Sequence, residues 1–494
     1  MTILSACKKA ALVCVFIAAT IAVVQAQTFT TLFKFNGTDG ANPASDLLVQ
    51  GVDGNLYGST LGGGTGSCLA SGCGTIFKLT HNGVSPIFNF ACPAADCNQL
   101  AFPIGTLTLN HDGSFYGVTN GGGSFFCGQS VGCGGIFKIN HTGVMTPLFT
   151  FTEFSQGYLP RGMTVAENGS FYGTTELGGV TCDGNFGCGT AFELTPDGTF
   201  SVIADFSGLD AFPVGQLING SDGELYGATS GYPVSNGSVF KMSEGGNVTN
   251  FPLTSSSGAA IPGSGLVQAI DGNFYGTTEY DASNLTGGGT IFKVTPQGVF
   301  SILYTFCKVD CRDGFDPQGD LFQATDGNLY GMTRSGGDLT CNPPNGCGTI
   351  FRISPDGTFA SLHNFEGSDG EGPFFDGLVQ RTDGVLYGTT FGGGRLGGNC
   401  KPGGCGTVFS LDVGLGPFVA FVRPGGKVGQ TGGILGQGFT GTTSVMLNGT
   451  PASFTVKSDT FIEATVPAGA TTGYVTVTTP SGTLTSHVPF RVIQ

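Results

Sequence analysis

Carboxylates crowd two short stretches of this 494-residue chain. Asp310, Asp313, Asp316 and Asp320 surround Arg312 in the first, and Glu366, Asp369, Glu371 and Asp376 fill the second. Hard oxygen donors at that density suit Ca²⁺, or the paired acid and base of glycoside cleavage. Neither stretch has the fixed spacing of a calcium loop. The plainer reading is solvated carboxylates closing Asx turns. These eight residues are therefore the candidate ligand-binding or calcium site, and no catalytic residue is assigned. The five histidines, His81, His111, His141, His363 and His487, are scattered. They form no Ser/His/Asp set and no metal-binding cluster.

Cysteines carry the second chemistry. Cys7 and Cys14 lie in the N-terminal segment, and the other fourteen fall in close pairs. Five pairs follow a recurring Tyr-Gly phrase: Cys68/Cys73, Cys127/Cys133, Cys182/Cys188, Cys341/Cys347 and Cys400/Cys405. Cys92/Cys97 and Cys307/Cys311 lie between repeats. Repeats without a pair lack both partners, as disulfides require. Zinc would call for more uniform spacing or accompanying histidines. Oxidised cysteines imply an oxidising compartment, and the N-terminus agrees. Lys8 and Lys9 precede an apolar run from Ala10 to Val24, and small residues end at Ala26. That is the pattern of a secretory signal over residues 1–26; an uncleaved anchor helix is the alternative, though the run is short for a bilayer. No later stretch is apolar enough to span a membrane. The expected location is secreted or cell-surface.

The elements that must position these groups repeat seven times. Tyr57, Tyr116, Tyr172, Tyr226, Tyr275, Tyr330 and Tyr387 are 59, 56, 54, 49, 55 and 57 residues apart. Each sits in a Phe- or Leu-Tyr-Gly-x-Thr phrase behind a turn and ahead of a Gly-rich stretch. That stretch ends in an apolar-Phe pair at Phe77, Phe137, Phe192, Phe240, Phe292, Phe351 and Phe409. The turns carry Asp53, Asp112, Asn168, Asp222, Asp271, Asp326 and Asp383. Their recurrence marks them as turn geometry. β-Branched and aromatic runs broken by Asp-Gly turns read as four antiparallel strands per repeat. Seven such units predict an all-β, seven-bladed β-propeller over residues 27–412. Phe29–Phe35 matches only a fourth strand, so it is expected to complete the last blade and hide an edge. In a meander blade the tight Asp-Gly turns share one face. The long, cysteine-bearing loops share the other, where ligand sites are expected. The repeated tyrosines and phenylalanines are expected to pack between blades.

The repeat phrase, with Gly-Cys-Gly-Thr-Ile-Phe-Lys-Leu after it, resembles the GloVer tandem repeat of choice-of-anchor proteins over residues 29 to about 412. The resemblance implies a bacterial exported or surface protein with some attachment device and no established activity. After Leu411 the pattern changes to short alternating strands broken by Gly and Pro, the mark of a small β-sandwich. Its Gly-Gln-Gly-Phe (436–439) and Val-Pro-Ala-Gly (466–469) phrases make residues 413–494 resemble an IPT/TIG domain, which implies an immunoglobulin-like spacer or binding unit.

The formal net charge of −15 becomes −17 once Lys8 and Lys9 are removed. Such a field disfavours nucleic acid and anionic membranes as partners. The functional expectation is a non-enzymatic exported propeller that presents its stapled loop face to a glycan or surface protein. A carbohydrate-active hydrolase or lyase using loop carboxylates is the alternative, and a purely structural surface protein the third. Ligand and oligomeric state are not specified by the sequence.

Overall fold

The computed structural model describes residues 27–44, 47–66, 68, 72–92, 99–123, 132–179, 187–231, 235–254, 259–281, 288–374, 376–397, 399–400 and 403–493. The expected signal segment lies outside them. The described residues contain no α-helix, only two 3₁₀ turns at Phe154–Gln156 and Gly208–Asp210. Residues 28–412 form seven antiparallel sheets in chain order. The sheets span residues 41–89, 100–150, 158–205, 213–252, 259–305, 322–364 and 378–412. The seventh gains its fourth strand from the chain start, where Thr28–Lys34 pairs with Thr407–Asp412 from Thr28 opposite Asp412 to Lys34 opposite Thr407.

The repeated residues explain why each sheet forms. A Cβ on the glycine of the Tyr-Gly pair would strike the Phe of the next strand. The gap would be 2.5 Å from Gly117 to the Phe137 ring and 2.4 Å from Gly173 to that of Phe192. The Tyr-Gly and apolar-Phe phrases are thus two halves of one packing contact. The threonine that follows is equally paired: Thr60 with Thr75, Thr175 with Thr190 and Thr390 with Thr407 share buried hydroxyl bonds of 2.9 Å.

The tyrosines pack between sheets, as expected. Tyr57 lies 4.4 Å from the Phe115 ring of the second sheet, and Tyr226 lies 4.0 Å from Phe274 of the fifth. The turn carboxylates do more than cap their own backbone. Asp53 Oδ2 accepts from the Tyr57 hydroxyl at 2.8 Å and meets Lys78 Nζ at 2.6 Å. Asp222 repeats this with Tyr226 and Lys241, and Asp271 with Tyr275 and Lys293. Burial works against ionising Asp271, but bonds from Asn273, Tyr275 and Lys293 hold its carboxyl down at about 2.

Residues 420–493 form two four-stranded sheets and a two-stranded parallel pair. Phe439, Ile462, Val475, Val477 and Phe490 fill their core. This unit is docked rather than held away as a spacer. Thr460 Oγ1 donates to the Val52 carbonyl at 2.8 Å, and Arg423 donates to Asn110 Oδ1 at 3.1 Å. Arg491 pairs with Glu167 at 2.5 Å and donates to the Ser221 carbonyl, while Gln437 donates to Thr382 Oγ1 at 3.0 Å. All these partners belong to first-to-second-strand turns, so the tight-turn face is covered.

Candidate functional site

On the opposite face each inner strand starts in the same unusual way. Asn42, Phe102, Leu159, Phe212, Ile261, Asp316 and Gly372 all have φ between 50° and 62°, and each precedes a proline. The conformation is imposed by the neighbouring sheet. The N–H of Phe102 donates to the Cys73 carbonyl, that of Phe212 to Cys188, and that of Ile261 to Asn236. Asp316 uses Gly288, Gly372 uses Cys347 and Asn42 uses Cys405, which links the seventh sheet to the first. The proline then packs so closely that a Cβ on Gly74 would lie 2.6 Å from Pro103 Cδ. Gly237 and Pro262 repeat that distance, as do Gly406 and Pro43. This left-handed backbone costs a non-glycine residue about 1–3 kcal/mol, and a β-branched one such as Ile261 is a marked outlier. Glycine would remove the cost, yet only one of the seven positions uses it. The side chains divide into an apolar arc (Phe102, Leu159, Phe212, Ile261) and a polar arc (Asp316, Gly372, Asn42).

A cavity of about 600 Å³ opens at the polar arc. Asp316, Arg334, Asn342, Glu371, Phe374 and Phe391 line it, and the bare Gly372 leaves it room. Arg334 Nη1 lies 3.4 Å from Asp316 Oδ2 and stacks its guanidinium 4.6 Å above the Phe374 ring. Asn342 Nδ2 donates to Glu371 Oε1 at 2.7 Å. Glu279 stands beside this group. Burial, then the charge of Asp316, push its carboxyl up to about 7 against the opposing pull of Arg334. Burial also raises Asp316, opposed by Arg334 and Gln318, and raises Glu371, opposed by Asn342.

The eight carboxylates singled out in the sequence do not form one site. Asp316 and Glu371 meet at the cavity. Asp310 is exposed beside Arg312. Asp313 closes its own loop by accepting from the Tyr304 hydroxyl and the Cys307 N–H. Asp369 accepts from His363 Nε2 at 2.8 Å and from the Glu366 N–H, while the Glu366 side chain is exposed. Asp320 and Asp376 sit in or beside inner strands and are buried, with burial raising their carboxyls to about 6 and about 8. The described residues hold no group of three or more His, Cys, Asp or Glu able to bind a metal.

Sequence reasoning missed Glu279, Arg334 and Phe391. All three occupy the variable place directly after the Tyr-Gly-x-Thr phrase. Of the seven pre-proline residues it named only Asp316 and missed the other six, although each stands before a recurring proline. Of the expected disulfides, Cys68–Cys73, Cys307–Cys311, Cys341–Cys347 and Cys400–Cys405 are formed. Cys92, Cys133 and Cys188 are disulfide-bonded, while Cys97, Cys127 and Cys182 lie outside the described residues.

Fold and site together define a tandem-repeat protein of all-β, propeller-like architecture. The chain belongs to the Gloeobacter/Verrucomicrobia repeat family, whose model matches residues 19–186 and 178–409. No curated protein matches it. Its structure is similar to that of a streptogramin B lyase, with 17% identity and a TM-score of 0.51 over 78% of this chain and 97% of that one. A gluconolactonase from Xanthomonas campestris aligns at 14% identity and a TM-score of 0.37, covering 63% of this chain and 89% of its own. The lyase likeness is one of fold.

Proposed function

We propose that the seven sheets are the blades of a propeller closed by Thr28–Lys34, and that its loop-rich mouth binds an extracellular glycan. Residues 413–494 serve as an immunoglobulin-like, IPT/TIG-type module that caps the other face, and residues 1–26 export the protein. The disulfides support an oxidising compartment, and no helix among the described residues is long and apolar enough to cross a membrane.

The observation that carries this reading is the cavity beside the polar arc. Phe374 and Phe391 offer apolar faces next to Asn342, Glu371, Asp316 and Arg334. A few placed polar groups within an apolar-walled cleft are what orient a small ligand. Sugars present both C–H faces and hydroxyls, so they fit that mixture. The near-neutral carboxyl of Glu279 favours a second reading, in which the site is hydrolytic or eliminative and Glu279 transfers a proton.

A glycan-binding screen of the secreted full-length protein, with product analysis on every hit, tests both. Binding without turnover, weakened about tenfold by Phe391→Ala through lost apolar contact, is the expected result. Cleavage of a bound glycan that disappears in Glu279→Gln selects the second reading. Absence of any binding rejects the first.

A further inference from the structure

Two acceptors beside the polar arc lack donors to satisfy them. Gln318 is only 6% exposed and its Oε1 has no hydrogen-bond partner, while its Nε2 donates to Asp316 Oδ1 at 2.8 Å. Glu279 is half-buried and takes no hydrogen bond from any described residue. Both side chains flank Gly263: a Cβ there would sit 3.1 Å from Glu279 Cγ and 3.5 Å from Gln318 Cγ. Arg334 is the nearby cation, but it is drawn to Asp316 Oδ2 and the Phe374 ring. Leaving a buried acceptor unmet is costly, and leaving a carboxylate beside it unmet costs more. A proton on Glu279 would answer only one of these groups.

We propose that Glu279, Asp316 and Gln318 form a binding site for a hard divalent cation, with Ca²⁺ the fitting ion. Two carboxylates and an amide carbonyl supply oxygen ligands only, the set that Ca²⁺ prefers over softer metals. Water or a ligand entering from the cavity completes the shell. Glu279 comes from near the end of the fifth sheet's second strand, and Asp316 and Gln318 from the link between the fifth and sixth sheets, ahead of the strand Phe322–Gln323. The ion therefore ties two neighbouring sheets together at the mouth. The inference stands without the glycan reading, since it needs no organic ligand.

Calorimetric titration of Ca²⁺, and separately Mg²⁺, into the chelator-treated full-length secreted protein is the test. One Ca²⁺ per chain is expected, with a Kd of about 10⁻⁴ to 10⁻³ M for a site with few protein ligands. Glu279→Gln and Asp316→Asn should each weaken binding at least about tenfold, with circular dichroism checking that both variants fold. Asn is chosen at 316 because it tolerates the left-handed backbone. Arg334→Ala should tighten binding several-fold by removing a like charge. No binding of either ion, binding unchanged by Glu279→Gln, or weaker binding in Arg334→Ala would each overturn the proposal.

Discussion

Asp376 shows how much one side chain can cost when a sheet closes over it. Its Oδ1 accepts from the Thr389 hydroxyl at 2.6 Å, but its Oδ2 has no partner. Burial therefore keeps it protonated up to about pH 8, far above an unfolded aspartate. The folded state binds the extra proton between about pH 4 and pH 8, so this residue's contribution to stability falls as pH rises through that window. Asp376→Asn removes the titration whatever its constant offset. Melting temperatures of the two proteins should therefore diverge in favour of the variant, by a few degrees from pH 5 to pH 8. A constant difference over that range would show that Asp376 does not titrate in the folded protein.

At the scale of elements, the strand Thr28–Lys34 supplies the outer edge of a sheet whose other three strands come from residues 378–412. Phe29 packs 5.2 Å from Phe409 and stacks on His363 at 3.7 Å. Removing residues 27–36 should lower the melting temperature by well over 5 °C, since it uncovers that edge and its aromatic contacts. An unchanged melt would dismiss the strand's stabilising role. Strand pairing of this kind was legible in the sequence because the repeat supplies complementary parts: a glycine here, a phenylalanine there, one threonine facing another. The candidate site was only half legible. Dense acidic runs drew the eye to the links between repeats, where Asp313 and Asp369 turn out to close local loops. The cavity instead collects single residues from strand ends far apart in the chain, such as Arg334 and Phe391, with Glu279 beside them. Nothing in their local spacing announces that they meet; only their variation at a fixed place in a repeated phrase does.

At the scale of the molecule, the C-terminal unit and the turn face should act as one. Arg491 bridges to Glu167 and Ser221, and the half-buried Arg423 reaches Asn110. The intact protein is expected to melt in a single calorimetric transition, and Arg423→Ala with Arg491→Ala to split it in two. Two transitions in the unaltered protein would mean that the docking is weak. The C-terminal unit covers one face and leaves the loop-bearing one open, and there the seven pre-proline positions acquire another meaning. At six of them the backbone N–H is held by the neighbouring sheet whether the side chain is Phe, Ile, Asn, Asp or absent. Side chains can thus be exchanged singly around the mouth while the scaffold stays as it is. Under the proposed binding role, point changes in seven codons would suffice for a lineage carrying this fold, or a designer, to alter the ligand.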